Sequence, residues 1–391
     1  MSTTAGVGLS TDADPLKAAR EAARTALAGV GEARADWCLV FATAPYRPHY
    51  AAMLAAIQDT LGTSILSGCS GWGVIAGDRE IESGPGVAVL AVRSDRIEAC
   101  GLIVPLDGDE TRSAAGEIGA LQRSRPGLSF LLPDPFASPL DSLLNDLKEV
   151  APGARTIGAA ASGDPHLGHT FQYYGRNVAT RSVALLHLSG SVNATIGITQ
   201  GCQPLGKPCR VTRCQGNIVH SLDGRPALDA LRSRMPAGVR NALERLGGHL
   251  FVGIPPQPGQ ERFEHGEYLV RGLLGIDPKE GSIAVGTTVE EGQPILLLLR
   301  DPQAAREDLK GMLDRLGTAT GDNPPRFGLY FNCAARGSSL YGHPGIDTAF
   351  IASRFPGLPI IGFFGNAEIA PLHGSNLIFT HTGVLALITE A

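Results

Sequence analysis

The sequence predicts an α/β protein whose mixed sheets are built from three strand–helix–strand–strand repeats. Three stretches carry that reading. The first runs from Trp37-Cys38-Leu39-Val40-Phe41 through a helix with Met53, Leu54, Ile57 and Leu61 on one face. It continues into Ile65-Leu66, opens at Gly68-Cys69-Ser70-Gly71 and closes on Val87-Ala88-Val89-Leu90. The second has Phe130-Leu131-Leu132, a helix with Leu140, Leu143, Leu144 and Leu147, Thr156-Ile157 into Gly158-Ala159-Ala160, and Val183-Ala184-Leu185-Leu186. The third has Leu329-Tyr330-Phe331, a helix with Ile346, Phe350 and Phe355, Ile360-Ile361 into Gly362-Phe363-Phe364, and Val384-Leu385-Ala386-Leu387. An apolar strand, a helix of 3.6 period and a strand feeding a small-residue turn make one unit of roughly 60 residues. Both leading strands of each unit end on the same side, and open α/β sheets bind ligands beyond the carboxyl ends of their strands.

Around the repeats, Met1 to Thr11 reads as a short polar tail. Asp14 as N-cap and Pro15 at the first helical position open a helix with Leu16, Ala19, Ala23 and Leu27 inward. Strand character follows at Ile97 to Val104, then a polar helix near Thr111 to Gln122. Ser138-Pro139, with Asp141 three residues past the cap, signals the second repeat's helix. A non-repeating stretch holds a strand at Val192 to Thr199, a Cys-bearing segment from Cys202 to Cys214, and a helix from Pro226 to Arg234. Pro255-Pro256-Gln257-Pro258-Gly259 is the most linker-like break. A buried strand, Ile295 to Leu299, and a helix from Ala304 to Leu316 lead into the third repeat. The expected domains are 1–220 and 221–391.

Composition narrows the function. The chain has 391 residues, 43% apolar and 18% charged, with 50 glycines and a net charge of -5. That length calls for more than one core. Without a basic run, nucleic acid is disfavoured as a partner, because such binding rests on Lys and Arg neutralising phosphates. No apolar stretch is long enough to span a bilayer, and the amino terminus lacks the basic and apolar regions of a signal peptide. The expected location is cytoplasmic, and the seven scattered cysteines suit reduced thiols there.

The third repeat carries a family resemblance. Phe331-Asn332-Cys333-Ala334-Ala335-Arg336-Gly337, Tyr341-Gly342, Gly362-Phe363-Phe364, Glu368-Ile369 and Thr382-Gly383-Val384 together resemble the C-terminal FIST domain. The stretch from Asp14 to Leu90 resembles the N-terminal FIST domain. So do Leu132-Pro133-Asp134-Pro135-Phe136 and Leu222-Asp223-Gly224 with Pro226-Ala227-Leu228. Arg271 and Arg300-Asp301 match the part that precedes the C-terminal repeat. Ala367 departs from the pattern, standing where glycine is expected, and implies a tighter or shifted turn. The resemblance implies two FIST-type domains forming a sensory module for a small ligand, amino acids among the suggestions. It also implies a report in trans to a histidine kinase or other signalling protein, since no output domain is fused. A branch of the family binds haem and senses nitric oxide, which makes haem the alternative cofactor; none is expected here.

The candidate site residues lie in the loops of the third repeat. Cys333, Arg336, Tyr341, His343 and Asp347 fall in one loop, and Asn366, Glu368 and His373 in the other. Arg336 offers a planar fork to a carboxylate, and Glu368 or Asp347 could receive an ammonium, so the set could hold a zwitterion. Alternatively, Arg336 and Glu368 tie the two loops together. Cys69 and Ser70 sit at a glycine-flanked turn that could form an anion nest. A Cys nucleophile at Cys69 or Cys333 is the enzyme alternative, with His49 nearest to Cys69 in repeat position. No Gly-x-Ser-x-Gly elbow surrounds Ser70. Cys202, Cys209, Cys214 and His220 match no common zinc spacing, so no metal is expected. His166 and His169 are the candidate axial haem ligands, against the simpler reading of solvated loop histidines; no Cys-x-x-Cys-His attachment motif accompanies them.

Overall fold

The computed structural model describes residues 2–31, 34–106, 111–236, 248–257 and 259–391; Pro258 of the linker-like stretch lies outside them. The first module comprises β1 (Thr4–Ser10), α1 (Pro15–Val30), β2 (Trp37–Thr43), α2 (Tyr50–Leu61), β3 (Ile65–Gly71), the hairpin β4 (Val74–Ala76) and β5 (Arg79–Ile81), and β6 (Val87–Arg93). The second has β7 (Ile97–Pro105), α3 (Thr111–Ser124), β8 (Gly127–Pro133), α4 (Leu140–Val150), β9 (Arg155–Ala159), the hairpin β10 (Gln172–Tyr174) and β11 (Asn177–Ala179), and β12 (Ser182–Gly190). The third opens with β13 (Val192–Gln200). The chain then makes β14 (Cys202–Pro204), β15 (Cys209–Gln215), β16 (Ile218–Leu222), β17 (Arg225–Pro226), α5 (Ala227–Arg234), β18 (Leu250–Ile254), β19 (Leu269–Asp277), β20 (Ser282–Val285) and β21 (Pro294–Arg300). The third module resumes with α6 (Pro302–Thr320), β22 (Phe327–Cys333), α7 (Ser338–Tyr341), α8 (Ile346–Arg354), β23 (Ile360–Gly365), the hairpin β24 (Glu368–Leu372) and β25 (Ser375–Phe379), and β26 (Thr382–Glu390).

Two compact units result. One holds residues 1–197, 310–379 and 383–391, the other residues 198–309 and 380–382. Neither is continuous in sequence. In the second, β21 bonds to both β15 and β18, which closes β15, β16, β20, β19, β18 and β21 into an antiparallel barrel. Its core packs Val211, Leu222, Leu228, Val252, Ile283 and Leu297.

In the first unit each module contributes a parallel pair flanked by an antiparallel closing strand: β6-β2-β3, β12-β8-β9 and β26-β22-β23. The hairpins are exchanged cyclically. That of module one pairs with β23 of module three, that of module three with β9 of module two, and that of module two with β3 of module one. Each sheet therefore has six strands, in the orders β1-β6-β2-β3-β10-β11, β7-β12-β8-β9-β24-β25 and β13-β26-β22-β23-β4-β5. The exchange pairs the exposed backbone of each second strand, which would otherwise be an open sheet edge.

Gly68, Gly158 and Gly362 occupy equivalent places in this scheme. In the parallel pairs they face Val40, Leu131 and Tyr330. A Cβ at any of the three would run into the carbonyl oxygen of that facing residue. The glycines therefore lie inside β3, β9 and β23, not in turns as their composition suggests, because the neighbouring strand leaves no room for a side chain.

Three other sequence expectations change. The polar tail is the edge strand β1, paired along its length with β6. Gly6 and Gly8 hide its strand character; they are there because the backbone of α1 lies against them at Ala22, Ala26 and Gly29. The buried face of α1 is accordingly alanine-rich, with Ala18, Ala19, Ala22, Ala23 and Ala26 inside and Leu16 and Leu27 at its margin. Asp14 does cap that helix, accepting from the Leu16 and Lys17 N–H groups at 2.9 Å. Ser138 does not cap α4, where Pro139 holds the cap position without a side-chain bond. The turn at Ala367 accommodates a side chain, its carbonyl accepting the Ala160 N–H at 2.8 Å.

Candidate functional site

The carboxyl ends of β3, β9 and β23 are joined through one residue, Ser162. Its N–H donates to the Ser70 carbonyl at 3.2 Å, and its own carbonyl accepts the Ser70 hydroxyl at 2.8 Å. Its hydroxyl donates to the Phe364 carbonyl and accepts the Trp72 N–H, the latter at 2.7 Å. One small buried side chain thus links all three modules. Sequence reasoning missed Ser162, which carries no motif.

Beside it, at the carboxyl ends of β2 and β3, a cavity of about 420 Å³ is lined by Thr43, Pro45, Trp72, Glu82, Asp164 and His166, among others. Its walls are held in place. Thr43 donates to the Gly84 carbonyl at 2.9 Å and accepts the Gly86 N–H at 2.8 Å, which fixes the loop that carries Glu82. Glu82 accepts the Ser338 N–H and hydroxyl, each at 2.9 Å. Asp164 accepts the His166 N–H at 3.0 Å and so sets the short 3-10 turn Pro165–Leu167. Trp72, 49% exposed, presents a large apolar surface next to these carboxylates. The residues that line the cavity include Glu82, Asp164, His166 and Trp72, with no Lys or Arg among those described. Such a lining suits a cationic group packed against an aromatic face. Trp72, Glu82 and Asp164 escaped the sequence reading, although Trp72 follows the Gly68–Gly71 stretch by one residue.

The third-module residues are arranged differently from the expected open pocket. Arg336 and Asp347 are each 1% exposed and form an ion pair, Nε to Oδ2 at 3.1 Å and Nη2 to Oδ1 at 3.2 Å. The Tyr341 hydroxyl, which accepts from Arg336 Nη2 at 2.9 Å, donates to Asp347 at 2.7 Å, and the Tyr330 hydroxyl donates to it at 2.8 Å. Burial alone would raise the Asp347 carboxyl, but the adjacent guanidinium and the phenolic donors outweigh it and hold it below the usual range. Glu368 is fully buried on β24, opposite Ala159 and Phe379. Arg336 is therefore met by Asp347, from the first turn of α8, and the pair is interior. Cys333 is 5% exposed, its carbonyl accepting the Arg336 N–H at 2.8 Å. Asn366 is exposed and donates its N–H to the Ala160 carbonyl at 3.0 Å.

Cys69 and Ser70 lie within β3 and are buried, so their backbone forms no open anion nest. Burial pushes the Cys69 thiol well up, which disfavours the thiolate a nucleophile needs. His166 is exposed at the cavity, whereas the His169 ring meets Phe171 edge-on at 5.2 Å. Among the described residues, the lining beside His166 includes no Lys or Arg to pair with the propionates of a haem. In the barrel unit, Cys202 lies on β14 while Cys209 and Cys214 lie on β15, and Cys214 donates to the Val289 carbonyl at 3.3 Å.

Among the described residues no helix is long and apolar enough to cross a membrane. The FIST N domain family matches residues 36–225, and the FIST C domain family matches residues 227–371. These segments meet inside the barrel unit and do not coincide with the compact units. An uncharacterised protein of Mycobacterium tuberculosis (strain ATCC 25618 / H37Rv) is 33% identical over 391 residues, covering 98% of this chain and 99% of the relative. An uncharacterised protein of Mycobacterium bovis is 31% identical over 392 residues, covering 98% of each. With both domain families matched along most of its length, the chain belongs to the FIST family, whose domains are regarded as small-ligand-binding sensory modules.

Proposed function

We propose that this protein is a sensory module whose ligand is a small polar, amino-acid-like molecule, bound in the cavity at the carboxyl ends of β2 and β3 and reported to a separate signalling protein. The observation that carries the reading is the pairing of Trp72 with two carboxylates, Glu82 and Asp164, in one 420 Å³ cavity. In this reading the ammonium group packs over the indole face beside Glu82 and Asp164, gaining cation–π attraction, and the ligand's apolar part gains buried area. Ser83, exposed on the rim, offers a hydroxyl to the ligand's polar end.

Coupling to a partner follows from where Glu82 is anchored. Its carboxylate also holds the start of α7 through Ser338, so a ligand drawing on Glu82 shifts the loop of module three. A ligand can move that equilibrium only by its differential affinity for the two arrangements.

A thermal-shift screen of amino acids, amines and organic acids tests the reading. A ligand at a hundred times its dissociation constant adds about 2.7 kcal/mol of stability. The hits should be ammonium-bearing and should shift Glu82→Gln clearly less than the parent. Hits confined to acids without an amine would contradict it.

A further inference from the structure

A second cavity, of about 340 Å³, lies in module two at the amino ends of β8 and β9, the end opposite to the cavity just described. Its floor is a closed set of polar groups. His187 is 1% exposed. Its Nε2 meets the Arg125 carbonyl at 2.6 Å, and since that oxygen can only accept, Nε2 carries the proton. Its Nδ1 therefore accepts the Ser129 hydroxyl at 2.9 Å. Gln122 spends its amide N–H groups on the Ser129 and Thr156 hydroxyls, at 2.9 and 3.1 Å. One atom is left over: Gln122 Oε1 is buried and has no hydrogen-bond partner, although the residue is only 6% exposed. An orphaned buried acceptor costs free energy unless something donates to it.

The rim supplies the complementary chemistry. Arg123 donates to the Val150 carbonyl, and Arg155 to Asn193 Oδ1 at 3.3 Å and the Ala194 carbonyl at 2.8 Å. Both guanidiniums thus bond neutral oxygens, and the lining includes no carboxylate among its described residues. Burial also favours neutral His187. The lining therefore combines two exposed guanidiniums, each hydrogen-bonded to neutral oxygens, with a buried glutamine that has one unpartnered acceptor.

We propose that this cavity is a binding site for a small hydroxycarboxylate, with the carboxylate held by Arg155 and Arg123 and the hydroxyl donating to Gln122 Oε1. A zwitterionic amino acid would bring its ammonium toward the two guanidiniums, so the site selects against the class of ligand assigned to the other cavity. The proposal does not depend on that assignment.

The test is calorimetric titration of the full chain with glycolate, L-lactate and L-malate, with sulfate and glycine as controls. At least one hydroxyacid should bind, with sulfate and glycine weaker by about tenfold or more. Arg155→Ala, a change at an exposed side chain, should weaken the bound acid by about tenfold. Gln122→Leu should abolish the preference for hydroxyacid over sulfate. The proposal is overturned if none of the three acids binds, if sulfate binds as well as they do, or if Arg155→Ala leaves the affinity unchanged.

Discussion

Arg336 and Asp347 form a two-pronged ion pair inside the third module, with Nε–Oδ2 at 3.1 Å and Nη2–Oδ1 at 3.2 Å. Both are withdrawn from solvent, and Tyr330, Tyr341 and Asn332 complete the shell around the carboxylate. Removing one partner of such a pair strands a buried charge. Arg336→Ala should therefore cost about 3–5 kcal/mol of stability, measured by urea denaturation. Replacing both, as Arg336→Met with Asp347→Leu, should cost less than the two single changes added together. A loss below about 1 kcal/mol for Arg336→Ala would mean that the pair behaves like a surface salt bridge.

The equivalence of Gly68, Gly158 and Gly362 predicts matched responses to one substitution. At each site an added methyl meets a backbone carbonyl of the neighbouring strand, which cannot swing aside as a side chain could. Alanine at any of the three should cost about 1–3 kcal/mol or more, read by thermal melting. A neutral Gly158→Ala beside severe effects at the other two would break the threefold correspondence.

Glu80 gives the hairpin of module one a pH dependence. It accepts the Gly345 N–H and the Thr348 hydroxyl of module three. Burial, with Asp347 and Glu82 nearby, pushes it up to about 7 against the pull of the Gly345 N–H. Its folded value thus lies above the unfolded value of 4.5. The folded state then binds the proton more tightly, so the contribution to stability is complete below about 4.5 and fades as pH rises through 7. Glu80→Gln should melt higher than the parent at pH 8 and lose the slope between pH 5 and 8. An identical slope in the variant would assign the effect to another group.

The repeats were legible because apolar strands and 3.6-period helices leave their mark on every module. The parallel pairs at Val40–Gly68, Leu131–Gly158 and Tyr330–Gly362 follow from that mark. The hairpin exchange was not legible, because β4, β10 and β24 are short and pair with strands distant in the chain. Edge strand β1 was hidden by Gly6 and Gly8, whose small size serves packing against α1. Arg336 and Asp347 were both recognised as chemically loaded, yet sequence spacing could not show that they neutralise each other. Trp72 and Glu82 belong to one segment but meet Asp164 only through the fold, so their convergence had no local signature.

Haem reconstitution offers a separate check. The described residues lining the cavity beside His166 include no Lys or Arg for the propionates, so the purified chain incubated with hemin should show no stoichiometric Soret band. Uptake abolished by His166→Ala or by His169→Ala would refute this.

The proposed site puts an ammonium-bearing ligand against Trp72. Trp37 is 1% exposed and Trp72 is 49% exposed, so the ligand-dependent part of the tryptophan fluorescence should come from Trp72. Titrating a screened amine or amino acid should shift and saturate that emission. Glu82→Gln or Asp164→Asn should each weaken binding by about tenfold, as expected for losing a charge-assisted bond, with the melting temperature nearly unchanged in Asp164→Asn. Saturable binding of the same ligand with no change in Trp72 emission, and with full affinity in both variants, would contradict the claim.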